Sequence, residues 1–194
     1  MKPLPRFLVR SLARMSAAFA AALVDLSAQA TPPDDSGFTA IFDGRSLAGW
    51  DGDPTYWRIE DGNLVGEITP ETIVKQNTFI IWRGGTPADF ELKLEYRISA
   101  RGNSGINYRS TEVPGQPWAL RGYQADLDGP ERNRAPLRHT GQNYEERGRT
   151  FLARRGEFVR IDASTKPAVV ASLGDSKALE AHVKGDTWNQ VHII

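Results

Sequence analysis

The sequence of 194 residues contains no cysteine, which excludes disulfides, thiol catalysis and thiolate metal sites. It has no excess of either charge, because 24 basic residues balance 24 acidic ones, so DNA and RNA are poor candidates for a partner. Dinucleotide-binding, Walker, serine-hydrolase and zinc-protease motifs are absent. The three histidines, His139, His182 and His192, are far apart in sequence, which gives no support to a histidine zinc cluster.

The N-terminal segment carries four basic residues, Lys2, Arg6, Arg10 and Arg14. A mostly apolar run from Met15 to Leu26 follows, and then the small-residue motif Ala28-Gln29-Ala30. This order predicts a signal peptide over residues 1–30, cleaved after Ala30. The run is shorter than the roughly 20 apolar residues of a membrane-spanning helix. We therefore expect a periplasmic or secreted protein with no membrane anchor after cleavage.

The mature chain is predicted to be rich in β-strands. Residues 31–37 are typical of a flexible lead-in, and a β-domain is expected over 38–194. From Asp89 to Ile98 apolar and charged residues alternate at every position, which predicts a strand with one buried face. Shorter strands are predicted at Phe38–Phe42, Tyr56–Ile59, Asn63–Glu67, Thr78–Trp82, Ile106–Arg109, Thr150–Ala153, Phe158–Ile161 and Pro167–Ala171.

Many short strands separated by turns favour an all-β fold, an antiparallel sandwich of the jelly-roll type. At most one short helix is expected, at Ser176–Lys184, with Asp175 before it and Gly185 after it. The segment from Trp188 to Ile194 has the pattern of a strand with no turn or tail behind it. We expect a C-terminally truncated domain; the alternative is that this segment is simply the last edge strand.

A polar block in the second half of the chain is the candidate site. Between Arg121 and Arg160 there are nine arginines and no lysine, and the fixed guanidinium fork suits oriented recognition of oxygen atoms. A salt-bridged, solvated surface is the alternative. Alternation from Gly122 to Asp128 places Gln124, Asp126 and Asp128 on one face of a strand, able to bind hydroxyls or a cation. Two aspartates are a weak calcium signal, because such a site needs about six or more oxygen ligands.

The segment Gly102–Arg109 combines a tight glycine turn with a strand that projects Asn107 and Arg109 to one face. Aromatic side chains nearby in sequence could stack on sugar rings, although packing in the core is the alternative for each. These aromatic residues are Trp82, Tyr108, Trp118, Tyr123 and Tyr144.

Several segments together resemble the bacterial 3-keto-disaccharide hydrolase domain family. They are Gly37-Phe38 with Phe42–Trp50, Trp57–Gly66, Asp89–Leu92 with Gly102–Ile106 and Arg109, Gly122–Asp126, and Thr140-Gly141 with Tyr144–Arg149. The resemblance covers residues 36–194 and implies a concanavalin-like (laminin-G-like) jelly roll that is usually exported. Family members typically continue beyond the point where this chain ends.

The resemblance implies cleavage of oxidised disaccharides or glycosides that carry a ketone at C3. Residue types then suggest roles: Asp126 or Glu145 as the base, Arg109 and Arg149 at the oxyanion, and Asn103, Tyr123, Gln124 and Tyr144 on the sugar, with Trp118 as a stacking residue. We expect these residues to meet on one hollow sheet surface. No cofactor is expected, and a divalent cation stays an open alternative. The competing hypotheses are a non-catalytic carbohydrate-binding module and an inactive truncated relative.

Overall fold

The computed structural model describes residues 5–9, 35–131, 139–185 and 187–194. The predicted signal peptide and lead-in fall mostly outside the described residues. The elements in chain order are β1 (Arg6–Val9), β2 (Thr39–Ala40), β3 (Trp50–Asp51), β4 (Trp57–Glu60), β5 (Asn63–Gly66), β6 (Ile81–Trp82), β7 (Glu91–Tyr96), β8 (Asn103–Glu112), β9 (Leu120–Asp128), β10 (Asn143–Glu146), β11 (Thr150–Ala153), β12 (Glu157–Ile161), β13 (Pro167–Ser172), α1 (Ser176–Glu180) and β14 (Asn189–Ile193). The prediction of an all-β fold with one short helix is confirmed.

Two four-stranded sheets carry most of the structure. The first has the order β14-β7-β1-β2, and the second has the order β11-β10-β9-β8. Every pairing in the second sheet is antiparallel, whereas β1 runs parallel to both of its neighbours in the first. An edge-to-face contact between Phe90, just before β7, and Tyr108 on β8 links the two sheets, with ring centroids 6.3 Å apart. The remaining strands form the pairs β3–β6, β4–β5 and β12–β13.

The strand β7 was predicted with one buried face, and the structure departs from that prediction. All six of its residues are half-buried, including the charged Glu91 and Lys93. Glu91 accepts hydrogen bonds from Arg6, and Lys93 lies over the ring of Phe38. These two charged side chains can be half-buried on β7 because each has a partner there.

The helix is shorter than the predicted 176–184. It begins as expected, since the carboxylate of Asp175 accepts a hydrogen bond from the amide of Ala178 at 2.8 Å. Beyond Glu180 the amides of His182 and Val183 donate to carbonyls only three residues earlier, so the α-helical pattern ends there. The backbone of Lys184 is then held by the side chain of Asn189, which accepts from its amide at 2.7 Å and donates to its carbonyl at 2.8 Å. Among the described residues, no helix has both the length and the apolar character needed to cross a membrane.

Candidate functional site

Polar side chains from three neighbouring strands share one face of the second sheet. Gln124 on β9 lies opposite Asn107 on β8 and opposite Tyr144 on β10. Directly opposed residues on adjacent strands project to the same side, and residues two apart along a strand do so as well. Asp126 therefore joins these three on one surface, which we call the amide–carboxylate face: Asn107, Gln124, Asp126 and Tyr144.

The amide–carboxylate face is buried although it is polar. Gln124 and Asp126 are each only 7% exposed, and the Gln124 side-chain amide donates to an Asp126 carboxylate oxygen at 2.6 Å. The side-chain oxygen of Asn107 is buried and accepts no hydrogen bond within the described part of the chain. A buried acceptor without a donor costs free energy, which makes Asn107 an exception among the buried polar side chains of this face.

A glycine makes room for these side chains. Gly105 lies opposite Asp126, and a Cβ at this position would come within 2.5 Å of the Gln124 side chain. Any larger residue at this position would force the Gln124 side chain to move. The absence of a side chain at Gly105 therefore leaves space for Gln124 on the amide–carboxylate face.

Tyr144 carries a hydroxyl on this face that stays protonated at neutral pH. Burial raises its pKa, and the negative charges of Glu146 and Asp126 raise it further. Glu146 is itself buried and accepts a hydrogen bond from the side chain of Asn77 at 3.1 Å. The Tyr144 hydroxyl is therefore available as a hydrogen-bond donor.

An aspartate–histidine pair borders the same face. Asp128 is only 2% exposed and its carboxylate lies 3.0 Å from Nδ1 of His139, while the His139 amide also donates to it at 3.2 Å. The His139 ring contacts Phe151, which contacts Tyr144 in turn. The sequence did not predict this pair, because Asp128 and His139 are 11 residues apart and form no recognisable motif. A single carboxylate is enough to orient an imidazole.

Glu145 lies on the opposite face of the sheet from Asp126. It is paired with Tyr123, whose side chain alternates with that of Gln124. Arg149 binds the Glu145 carboxylate with its Nε at 2.5 Å, a second guanidinium nitrogen at 3.0 Å and its backbone amide at 2.7 Å. These hydrogen bonds lower the pKa of Glu145. The structure thus separates the predicted site residues Tyr123, Glu145 and Arg149 from the amide–carboxylate face.

The other predicted site residues lie at the margins. The Arg109 side chain is more than half exposed and pairs with Asp89 at 2.8 Å. Trp118 precedes β9 and donates its indole N–H to Asp51 at 2.7 Å, so its polar edge is already engaged. Asn103 begins β8 opposite Asp128, on the same side as Asp126 but exposed. Among the described residues, no three His, Asp or Glu side chains converge to hold a metal ion.

A family model described as a 3-keto-alpha-glucoside-1,2-lyase-like domain matches residues 37–194. The chain belongs to this family. A 3-keto-disaccharide hydrolase of Bacteroides thetaiotaomicron is 36% identical over 89 residues, which make up 42% of this chain and 30% of that protein. The chain thus covers less than a third of the length of this curated relative. The resemblance inferred from the motifs is confirmed.

The 3-keto-alpha-glucoside-1,2-lyase-like domain contains both faces of the second sheet and the Asp128–His139 pair. It also contains every described strand except β1, which precedes the matched region. The candidate chemistry therefore lies within the family domain, whereas β1 is an addition to its first sheet.

Proposed function

We propose that this domain cleaves glycosides that carry a ketone at C3 of the sugar, and that the amide–carboxylate face binds the oxidised sugar. The observation that carries the proposal is the pairing register of β8, β9 and β10, which gathers a buried carboxylate, two amides and a phenol on one surface. Family membership and the name of the Bacteroides relative support the choice of substrate class.

The reaction requires a base, a donor to the ketone oxygen and a proton for the leaving group. The C3 ketone acidifies the C2 proton; the base takes that proton, an enolate forms, and the C1–oxygen bond breaks as the leaving oxygen gains a proton. Water then adds across the resulting double bond, with hydroxyl at C1 and a proton at C2, to give the free 3-keto sugar. Positioned acid–base groups typically contribute about 100-fold or more to such steps.

Asp126 is the base in this proposal. It is buried beside Gln124 on the surface with the sugar-binding amides. Glu145 is a poorer candidate, because three hydrogen bonds from Arg149 lower its pKa and it projects from the other side of the sheet. For the same reason Arg149 acts as the partner of Glu145 in this proposal and not as an oxyanion donor.

The remaining roles fall to neighbours of Asp126. The Tyr144 hydroxyl donates to the ketone oxygen, where negative charge develops in the enolate. His139, oriented by Asp128, protonates the leaving oxygen. The unpaired side-chain oxygen of Asn107 accepts a hydrogen bond from a sugar hydroxyl. Arg109 is left outside the chemistry, at an exposed ion pair with Asp89.

The decisive experiment compares Asp126→Asn with Glu145→Gln, each of which removes one carboxylate charge without changing size. Glucose release from 3-keto-trehalose or 3-keto-lactose should fall by about 100-fold or more in Asp126→Asn and by far less in Glu145→Gln. Unfolding midpoints of both variants serve as the control for folding.

Full activity in Asp126→Asn would refute the role of this residue. Saturable binding of the keto-sugar by the wild-type protein without any product would instead identify a carbohydrate-binding module.

A further inference from the structure

Glu146 adds a second carboxylate to the side of the sheet that carries the amide–carboxylate face, and it takes no part in the proposed reaction. It lies two residues beyond Tyr144 on β10, so both side chains project to the same side. The residue is only 9% exposed. One carboxylate oxygen accepts the hydrogen bond from Asn77, and the other accepts none from the part of the chain that the structure describes. Because a carboxylate can accept about four hydrogen bonds, Glu146 keeps unused acceptor capacity.

Asp126, Tyr144 and Glu146 stand in a fixed order along this surface. Tyr144 lies opposite Gln124, and Glu146 lies opposite Gly122. Asp126 lies beyond Gln124 in the other direction, because β9 and β10 are antiparallel. The row of Tyr144 therefore lies between the rows of the two carboxylates. The negative charges of Glu146 and Asp126 both raise the pKa of Tyr144, which agrees with a phenol placed between them.

The side of Glu146 toward β9 is bordered by a small polar group. The residue opposite is Gly122, and a Cβ there would come within 2.3 Å of the Ser110 hydroxyl oxygen. Ser110 lies in a bulge of β8, where the register with β9 shifts and Arg109 adopts a positive φ of 47°. A bulge can redirect a side chain in this way. The neighbour of Glu146 across β9 is therefore a hydroxyl and not a bulky side chain.

The order of the three groups matches the order of adjacent carbons in the proposed substrate. In the proposed reaction Asp126 takes the proton from C2, and Tyr144 donates to the ketone oxygen on C3. The next ring carbon in the same direction is C4, which carries a hydroxyl in a hexopyranose. Glu146 is the next polar group in that direction along the sheet. Successive rows are about 7 Å apart, and side chains on a strand can lean along it to shorten that step.

We propose that Glu146 is a specificity-determining residue whose carboxylate accepts a hydrogen bond from the C4 hydroxyl of the oxidised sugar, with Asn77 as the residue that positions it. This inference rests on the proposed function, because it uses the placement of C2 and C3. A buried acceptor that binds a substrate hydroxyl is left unpaired when that hydroxyl is missing. The site should therefore discriminate against sugars that lack the C4 hydroxyl.

The first test measures a ratio that does not depend on how much of the enzyme is folded. The value of kcat/KM for 3-keto-trehalose is divided by that for its analogue without the C4 hydroxyl on the oxidised ring. In the wild type the ratio should be about ten or more, and in Glu146→Ala it should fall close to one. The loss should appear mainly in KM, since this hydroxyl takes no part in bond breaking.

Two further variants serve as controls for this ratio. Glu145→Ala removes the adjacent carboxylate, which projects from the opposite face, and should leave the ratio unaltered. Asn77→Ala should lower the ratio by less than Glu146→Ala, because it removes only the group that holds the carboxylate. An unchanged ratio in Glu146→Ala, an equal fall in Glu145→Ala, or a loss of kcat that is the same for both substrates would overturn the proposal.

The second test measures binding without turnover and separates this proposal from the proposed function. In Asp126→Asn, calorimetry should give a Kd for 3-keto-trehalose about ten-fold or more below that for the deoxygenated analogue, and adding Glu146→Ala should abolish the difference. The same preference in a wild-type protein that forms no product would refute cleavage and leave Glu146 as the specificity residue of a binding module. No saturable binding, or equal affinity for the two sugars, would refute the role of Glu146.

Discussion

The second sheet and the β12–β13 hairpin contradict the usual relation between polarity and burial in opposite directions. On the second sheet, Gln124, Asp126 and Asp128 are buried. On and beside the hairpin, large apolar side chains are exposed, and every residue of β13 is exposed. These apolar side chains are Phe158, Ile161, Val169, Val170 and Leu173.

The comparison shows that polarity alone does not determine which side chains of this domain are buried. Burying a carboxylate is costly unless hydrogen bonds compensate, so the buried Asp126 and Asp128 depend on the hydrogen bonds that they accept from Gln124 and His139. Exposed apolar residues on a hairpin have no such chemical role, and they mark a surface that gains by being covered. Shortening a side chain should therefore lower the free energy of unfolding more on the second sheet than on the hairpin.

Among the ion pairs, the largest effect on stability is expected from the buried carboxylate Asp128. Asp128→Ala removes the partner of the His139 imidazole and of its backbone amide, and should lower the free energy of unfolding by about 3 kcal/mol. Urea denaturation measures this loss.

Asp89→Ala is the matched control for Asp128→Ala. Asp89 also pairs with a basic side chain, Arg109, but this ion pair is exposed, so its loss should cost no more than about 1 kcal/mol. Equal losses in the two variants would show that burial does not strengthen the Asp128 contact.

An intermediate effect is expected at the Glu145–Arg149 pair on the opposite face, and it depends on pH. Because hydrogen bonds from Arg149 hold the pKa of Glu145 below its ordinary 4.5, the pair adds stability that is present above about pH 4.5 and lost as the pH falls through the lowered pKa. Glu145→Gln removes this contribution. The unfolding free energy of the Glu145→Gln variant should lie below that of the wild type at neutral pH. The two unfolding free energies, measured against pH, should converge in acid.

Arg149→Gln provides the control background for this pH dependence. Without the guanidinium, Glu145→Gln should change stability by nearly the same amount at every pH, since the main cause of the lowered pKa is gone. In the protein that retains Arg149, the effect of Glu145→Gln on stability should depend on pH. A constant effect would contradict the conclusion that Arg149 lowers the pKa of Glu145.

The strands of the second sheet differ in how far their sequence predicts them. The alternation around Gln124 and Asp126 predicts β9 and its two faces, which the structure shows. The strand β10 was not predicted, because Asn143-Tyr144-Glu145-Glu146 has no apolar alternation; pairing with β9 and β11 determines its conformation.

The division of the candidate site between two faces could not be predicted for the same reason. Whether Glu145 joins Asp126 depends on the register between β9 and β10, and a shift of one residue would exchange Tyr144 and Glu145. A strand that is polar at every position contains no signal for that choice. The contact of β1 with the first sheet was likewise unpredictable, because a basic, apolar N-terminal segment fits a signal peptide equally well.

The smallest effect is expected at Leu173, just after β13. Its side chain is 69% exposed, so Leu173→Ala should change the unfolding free energy by less than about 0.5 kcal/mol. The same substitution at the buried Leu127 should cost about 3 kcal/mol, because it removes packed methyl groups and leaves a cavity. Both values come from urea denaturation at low protein concentration. A loss at Leu173 that equals the loss at Leu127 would mean that the hairpin is covered in solution, and an increase of that loss with protein concentration would identify the cover as a second copy of the chain.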